Sequence, residues 1–150
     1  MIRRARPEDK FAIGGIAKRA YHVYVDSLDK PPAPMAADFE RHIDDDWVFV
    51  FERDGDIAGY AILITMDGRA LLDNIAVDPD RQRRGIGRAL LERVEDEAAV
   101  LGHRYLELYT NVIMTENLRW YEQLGFVETR RAVEDGFHRI YMRKNIGPKS

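Results

Sequence analysis

Two clusters in this 150-residue chain combine residue types and spacings that could do chemistry. The first is Gln82-Arg83-Arg84-Gly85-Ile86-Gly87-Arg88, a Q-x-x-G-x-G pattern that follows the apolar run 71–77 and the break Asp78-Pro79. An apolar strand that stops at Asp-Pro and leads through glycines into a helix makes backbone N–H groups converge on an anion at the positive helix end. Gly85 and Gly87 lack a Cβ, so backbone there can approach a phosphate and take positive φ. Arg83, Arg84 and Arg88 add positive charge. The pattern is neither a dinucleotide G-x-G-x-x-G nor a P-loop, because no Lys-Ser/Thr pair follows the glycines. A tight strand-to-helix turn with solvated arginines would carry the same glycines.

The second cluster is Asn117 with Trp120-Tyr121-Glu122-Gln123-Leu124-Gly125-Phe126. A spacing of four places Asn117 and Tyr121 on one helical face. A phenol pointing into a cleft can protonate a leaving group of similar basicity, and a thiol at ~8.5 and a tyrosine at ~10 are close enough for that. Tyrosine beside tryptophan, leucine and phenylalanine is equally what a packed core contains.

Elements of ordinary kind must position these clusters. A chain of this length is one domain and buries roughly 68–70% of its unfolded surface. Its 45% apolar and 33% charged residues are those of a globular protein rather than a disordered one. No apolar run approaches the ~20 residues that span a bilayer, and Met1-Ile2-Arg3-Arg4 leads into no signal-peptide core, so no membrane partner is expected. The absence of Cys excludes a disulfide frame and a cysteine nucleophile and suits a cytoplasmic location. His22, His42, His103 and His138 lack metal-ligand spacing, so no metal is expected, and a net charge of −3 argues against nucleic-acid binding.

Residues 1–5 read as a short strand, ended by Arg6-Pro7-Glu8-Asp9, after which a helix should begin near Glu8. Phe11, Ile16, Ala20 and Val23 recur at helical spacing and carry it to about Val25. Prolines 31, 32 and 34 break it, and a short helix over 35–44 follows. From Trp47 the period becomes two: strands 47–51, 57–65 and 70–77 are joined by Asp54-Gly55 and Asp67-Gly68 turns. A helix after Gly85 aligns Ile86, Leu90, Val94, Ala98 and Leu101 and ends at Gly102. A strand over 104–110, a helix over 115–123 and a hairpin of 126–133 with 137–143 complete the chain. The order is β-α-α-β-β-β-α-β-α-β-β, a single α+β domain over residues 1–150.

Together the two clusters stop being independent. Gln82-x-x-Gly85-x-Gly87 after Asn74-Ile75-Ala76-Val77, with Asn117-x-x-x-Tyr121-x-x-x-Gly125-Phe126, resembles the GNAT superfamily of acyl-CoA-dependent N-acetyltransferases. The opening Ile2-Arg3-Arg4-Ala5-Arg6-Pro7-Glu8-Asp9 is similar to the start of many such proteins, and the likeness in element order covers nearly the whole chain. The resemblance implies a mixed, mostly antiparallel twisted sheet of about six to seven strands, with about four helices on both faces. It implies acetyl-CoA as acyl donor, with Ile75, Ala76 and Val77 pairing their backbone to the pantetheine arm as an added strand would. Gln82 and the amides of Arg83, Arg84, Gly85, Ile86, Gly87 and Arg88 would hold the pyrophosphate. Asn117 would touch the cofactor arm, and Tyr121 would protonate the departing thiolate. Members of the superfamily part their central sheet beside the counterpart of residues 75–77, and homodimers are common among them.

The chain departs from that pattern in two places. Many members carry Asn seven residues before the tyrosine, where Met114 stands here. The superfamily's best-known catalytic glutamate, early in the fourth strand, corresponds to about Leu71. The acceptor amine must still lose a proton, which leaves Asp73, on the face of Leu71 and Ile75 by period two, and Glu107 on the next strand. Each is also explained as a strand carboxylate paired with an arginine or facing solvent. Acceptor recognition falls to Tyr21, Tyr24, Met35 and Asp38, where aromatic faces and a carboxylate could seat a cationic amine. The expected function is acetyl transfer from acetyl-CoA to a primary amine of a small molecule or peptide by direct attack. A non-catalytic acyl-CoA sensor or partner-binding domain on the same scaffold is the alternative, kept open by the missing glutamate.

Overall fold

The computed structural model describes residues 1–22, 38–45, 47–81 and 85–147. In chain order the elements are β1 (Ile2–Arg4), a 3₁₀ turn at Pro7–Asp9, α1 (Lys10–Tyr21), α2 (Phe39–Asp45), β2 (Trp47–Arg53), β3 (Asp56–Met66), β4 (Arg69–Val77), a second 3₁₀ turn at Pro79–Arg81, α3 (Ile86–Val100), β5 (Tyr105–Asn111), α4 (Thr115–Gln123), β6 (Val127–Glu134) and β7 (Phe137–Asn145). The expected α+β order is therefore the observed one. Residues 23–25 of the expected first helix and 35–37 of the second lie outside the described residues. No helix among the described residues is long and apolar enough to cross a membrane.

Seven strands form one sheet in the order β1-β2-β3-β4-β5-β7-β6. The β2–β3, β3–β4 and β6–β7 hairpins each turn on Asp-Gly. Asp54 and Gly55 have φ of 53° and 83°, and Asp67-Gly68 and Asp135-Gly136 repeat this within 10°. Positive φ at both central residues defines the type I′ turn, whose twist matches that of the strands it joins.

Apolar side chains cover both faces of the sheet. On one, Leu90, Leu91, Val94 and Ala98 of α3 pack with Ala61, Leu63, Leu72 and Ile75, and with Tyr121 and Phe126 from α4 and its C-terminal end. On the other, Ile13, Ile16, Ala17 and Tyr21 of α1 pack on Val48, Val50, Tyr60 and Ile62. Two expected core positions are corrected. Phe11 is 80% exposed and Leu101 43% exposed; the buried stripe of α1 runs through Ile13, Ile16, Ala17 and Tyr21 instead, the i, i+3, i+4 spacing that one packed helical face requires.

Two irregularities shape the centre of the sheet. All pairings are antiparallel except β4–β5, which is parallel and stops after Ala70↔Leu106 and Leu71↔Glu107. Beyond that point β4 stays registered to β3, and β5 to β7 along its whole length. Each strand is held by its outer neighbour, so the inner edges part. The second irregularity is a bulge: Asn74 pairs Ile62 and Leu72 pairs Leu63, which makes Asp73 the extra residue of β4. A bulge inserts one residue and shifts the face that later side chains occupy. Hence Leu72 and Ile75 share one apolar cluster, and the expectation from strict period two that Asp73, Leu71 and Ile75 share a face is overturned.

Candidate active site

The parting strands enclose a cavity of about 250 Å³, lined by Leu72 to Ile75 of β4, Tyr109 to Asn111 of β5, Asn117 and Tyr121 of α4, and side chains from α1, α2 and β7. Asn117 and Tyr121, four apart on α4, both line it. Tyr121 is buried between Trp120 and Phe126, with ring centroids 5.3 and 5.7 Å away, and burial raises its pKa. The phenol therefore holds its proton at neutral pH. Met114, where the superfamily favours Asn, also lines the cavity, and its thioether stands 3.8 Å from Asn117 Nδ2 and 3.9 Å from Thr110 Oγ1.

The edge of β4 that faces the cleft is readable from its hydrogen bonds. The Asp78 N–H donates to Ala58 of β3, and strand alternation then points Ala76 toward β3 and Ile75 and Val77 toward the parted side. The Tyr21 hydroxyl marks the same direction at Ile75 by donating to its carbonyl at 3.0 Å. The expected pantetheine-pairing stretch therefore presents backbone groups to the cleft, with the Ile75 carbonyl already engaged.

The glycines divide their roles. Gly85 caps α3 at φ +70°, so the position demands a left-handed backbone, and a Cβ there would meet nothing within 4 Å among the described residues. A Cβ on Gly87 would meet the Trp120 ring and Val77 at 3.3–3.4 Å, so Gly87 lets the first turn of α3 seat against α4. The α3 N-terminus thus opens beside the end of β4. Gln82, Arg83 and Arg84 lie outside the described residues, while Ile86 is core and Arg88 is exposed at 3.7 Å from Glu92.

The two carboxylates considered as bases lie in different places. Asp73, the bulge residue, lines the cavity, with His42 Nε2 of α2 3.8 Å from its Oδ2. Glu107 lines an adjacent cavity of about 280 Å³ that meets the first at Tyr109. There Arg69 grips it with two hydrogen bonds of 2.7 and 2.5 Å and holds its carboxyl below the usual range. Among the acceptor residues expected, Tyr21 lines the cavity. Asp38 does not: its Oδ1 accepts from the Arg41 N–H and caps α2, which removes it from the cleft. Tyr24 and Met35 lie outside the described residues.

Sequence reasoning missed most of the wall, Asn74 included. His42 arrives from α2, and Tyr109, Phe137 and Arg139 from β5 and β7. The Arg139 guanidinium stands 4.4 Å from the Tyr109 ring centroid and 3.4 Å from Glu134. A tyrosine two residues beyond Glu107 on a strand of period two was the signal available for Tyr109; the others depend on long-range pairing. Among the described residues no group of three or more His, Asp or Glu side chains is placed to hold a metal.

A seven-stranded sheet parted between its fourth and fifth strands, with a glycine turn opening a helix at the parted edge, is an architecture of the GNAT type. A family model of the acetyltransferase (GNAT) domain matches residues 44–128, and the chain belongs to that family. It is similar to the [ribosomal protein bS18]-alanine N-acetyltransferase of Escherichia coli K12, with 42% identity over 80 residues, 53% of this chain and 54% of the relative. Mycothiol acetyltransferase of Clavibacter sepedonicus is 37% identical over 87 residues, 54% of this chain and 29% of that protein. The match thus spans about half the length of the first curated relative and less of the second. The crystal structure of the Escherichia coli ribosomal-protein-S18-alanine N-acetyltransferase superposes with a TM-score of 0.78 at 30% identity, covering 100% of this chain and 96% of that one.

Proposed function

We propose that this protein transfers an acetyl group from acetyl-CoA to a primary amine by direct attack, with Tyr121 as general acid. The observation that carries the reading is the placement of Tyr121 and Asn117 in the same parted cleft as the exposed edge of β4. Family membership and similarity to named N-acetyltransferases support it. Bound acetyl-CoA would supply an activated thioester carbonyl. Ile75 and Val77 would pair with its pantetheine arm, Asn117 would contact the arm, and the amides from Gly85 onward, with the chain before them, would face the pyrophosphate. Among the described residues nothing crowds Gly85, and Asn74 carries a buried donor without an acceptor, which fits such a group.

This chain's residues then divide the proton work. The amine gives its proton to the Asp73–His42 pair, which shares the cavity with Tyr121, while the ion pair with Arg69 makes Glu107 the poorer base. Tyr121 gives its proton to the leaving sulfur; burial disfavours both the phenolate and the thiolate, so their match persists in the cleft. The acceptor side combines the carboxylate of Asp73 and the rings of Tyr109 and Phe137 with the Arg139 guanidinium. That set fits an amine whose neighbouring carbon bears a carbonyl, as in an amino acid or a peptide N-terminus, better than a polyamine. Positioning of the two reactants should supply most of the rate.

The test is acetyl-CoA turnover against alaninamide, a short peptide, free alanine and spermidine, with Tyr121→Phe alongside. We expect turnover with the α-amino compounds and a fall in kcat of at least about tenfold in the variant with acetyl-CoA affinity retained. Failure of acetyl-CoA to bind sinks the reading; binding without turnover on any amine supports a sensor instead.

A further inference from the structure

The deepest anomaly in the cleft is the Asn74 side chain. It is 4% exposed and lines the cavity, and its Nδ2 is buried with no hydrogen-bond partner among the described residues. The other end of the amide is clamped. Tyr60, fully buried under α1 and α2, donates its hydroxyl to Asn74 Oδ1 at 3.0 Å, and the Tyr21 hydroxyl stands 3.4 Å from the same oxygen. Because the buried Tyr60 hydroxyl needs an acceptor, the amide oxygen must face the tyrosines and the amino group must face away from them. A buried donor left without a partner is destabilising. A fold that orients such a donor through the Tyr60 hydroxyl, on a residue that lines a cleft, has placed it for an acceptor that arrives from outside.

The acceptor is an oxygen and not an ammonium, because a neutral NH₂ only donates. Position narrows it further. Asn74 precedes Ile75, whose N–H points to the same parted edge, and Tyr121 lines the same cavity. We propose that Asn74 is a catalytic residue that donates from Nδ2 to the acyl carbonyl oxygen, alongside the Ile75 N–H. This deepens the acetyl-transfer reading above and rests on it.

Atoms and charge balance through the step. The amine lone pair forms the new C–N bond while the carbonyl π pair moves onto oxygen, where Asn74 Nδ2 and Ile75 N–H receive the growing negative charge. That pair returns as the C–S bond breaks, sulfur leaves with the bonding electrons and takes the Tyr121 proton, and the amine proton passes to Asp73–His42. No oxidant or metal enters. Donors fixed on buried side chains, as Asn74 is, are worth more than solvated ones and need no reorganisation during the reaction. Tyr60 acts through Asn74 and Tyr21 through the Ile75 carbonyl, and both are positioning residues.

The proposal is read by infrared spectroscopy of acetyl-CoA labelled with ¹³C at the acetyl carbonyl, bound to the full chain. Wild type should show the thioester stretch at lower wavenumber than Asn74→Ala, and the variant should lose about 10²–10³-fold in kcat, the cost of one oxyanion donor. Affinity for CoA itself, which has no acyl group, should stay within about threefold. Asn74→Ala also orphans the Tyr60 hydroxyl, so Tyr60→Phe/Asn74→Leu, which removes both partners together, serves if the single variant does not fold. An unchanged carbonyl frequency, or a kcat within threefold of wild type, overturns the Asn74 assignment while leaving acetyl transfer intact. Wild-type protein that does not bind acetyl-CoA overturns both.

Discussion

Asp73 shows how one residue's role is set by backbone register. Its side chain reaches the cleft because it is the extra residue of the β4 bulge, and bulges beside sites of chemistry often re-aim a side chain in this way. Glu107, in regular pairing on β5, is turned instead to Arg69. The two carboxylates therefore predict opposite outcomes. Asp73→Asn should lower kcat/KM by about 10²-fold, a typical contribution from a positioned base, and Glu107→Gln should change it less than threefold. A larger loss at Glu107 would move the base to the adjacent cavity. The spacing of Asn117 and Tyr121 made their shared face legible in the sequence, because a helix converts four residues into adjacency. The Tyr60–Asn74–Tyr21 clamp was not legible, since it joins three elements that only the tertiary fold brings together.

At the scale of elements, the hairpins announced themselves and the tether of the N-terminus did not. Asp-Gly between runs of period two specified three turns, whereas the bulge in β4 carries no local mark. The second expected helix begins at Phe39, after an Asp38 cap, so a carboxylate that read as a pocket residue is spent on a helix terminus. β1 is a three-residue edge strand, too short to hold itself, and a charge network secures it. Arg3 donates to Asp9 at 2.8 Å and to Glu52 at 2.5 Å, and Asp9 also accepts from the Arg6 N–H at 2.7 Å. The Arg3 guanidinium, by hydrogen bonding, holds the buried Asp9 carboxyl below its usual pKa against the cost of burial. A carboxyl depressed in the fold stabilises it above the unfolded pKa near 3.8 and loses that contribution as pH falls through the lower folded value. Asp9→Asn should cost about 1–3 kcal/mol at pH 7, and the gap to wild type should close below about pH 4. Urea midpoints measured between pH 3 and 7 would show it; a gap independent of pH would assign the cost to packing.

For the whole molecule, the functional feature is a missing set of contacts. The β1–β4 and β5–β7–β6 halves of the sheet meet through two residue pairs, Ala70↔Leu106 and Leu71↔Glu107, and through apolar side chains of α3 and α4. A sequence pattern reports which residues can form strands and hairpins, so the β2–β3–β4 meander and the β6–β7 hairpin were readable, while the sheet as a whole was implied by the family resemblance. It does not report where two strands stop pairing, because that depends on each being bound more completely to its outer neighbour. The open edge should be the place where a ligand changes the molecule most. A donor that lays its arm along Ile75 and Val77 completes the edge of β4 and links both halves across the cleft. At about 100 times its Kd such a ligand adds roughly 2.7 kcal/mol, which for a domain of this size raises the melting midpoint by about 5–10 °C. The protection should also be local. In hydrogen exchange, amides of residues 74–77 and 109–111 should slow on addition of acetyl-CoA. Those of the β6–β7 hairpin turn at Asp135-Gly136 and of the α3 C-terminus, remote from the parted edge, should keep their free rates. Uniform slowing across the chain would mean global stabilisation without engagement of the β4 edge, and slowing confined to α1 would place the ligand on the wrong face of the sheet.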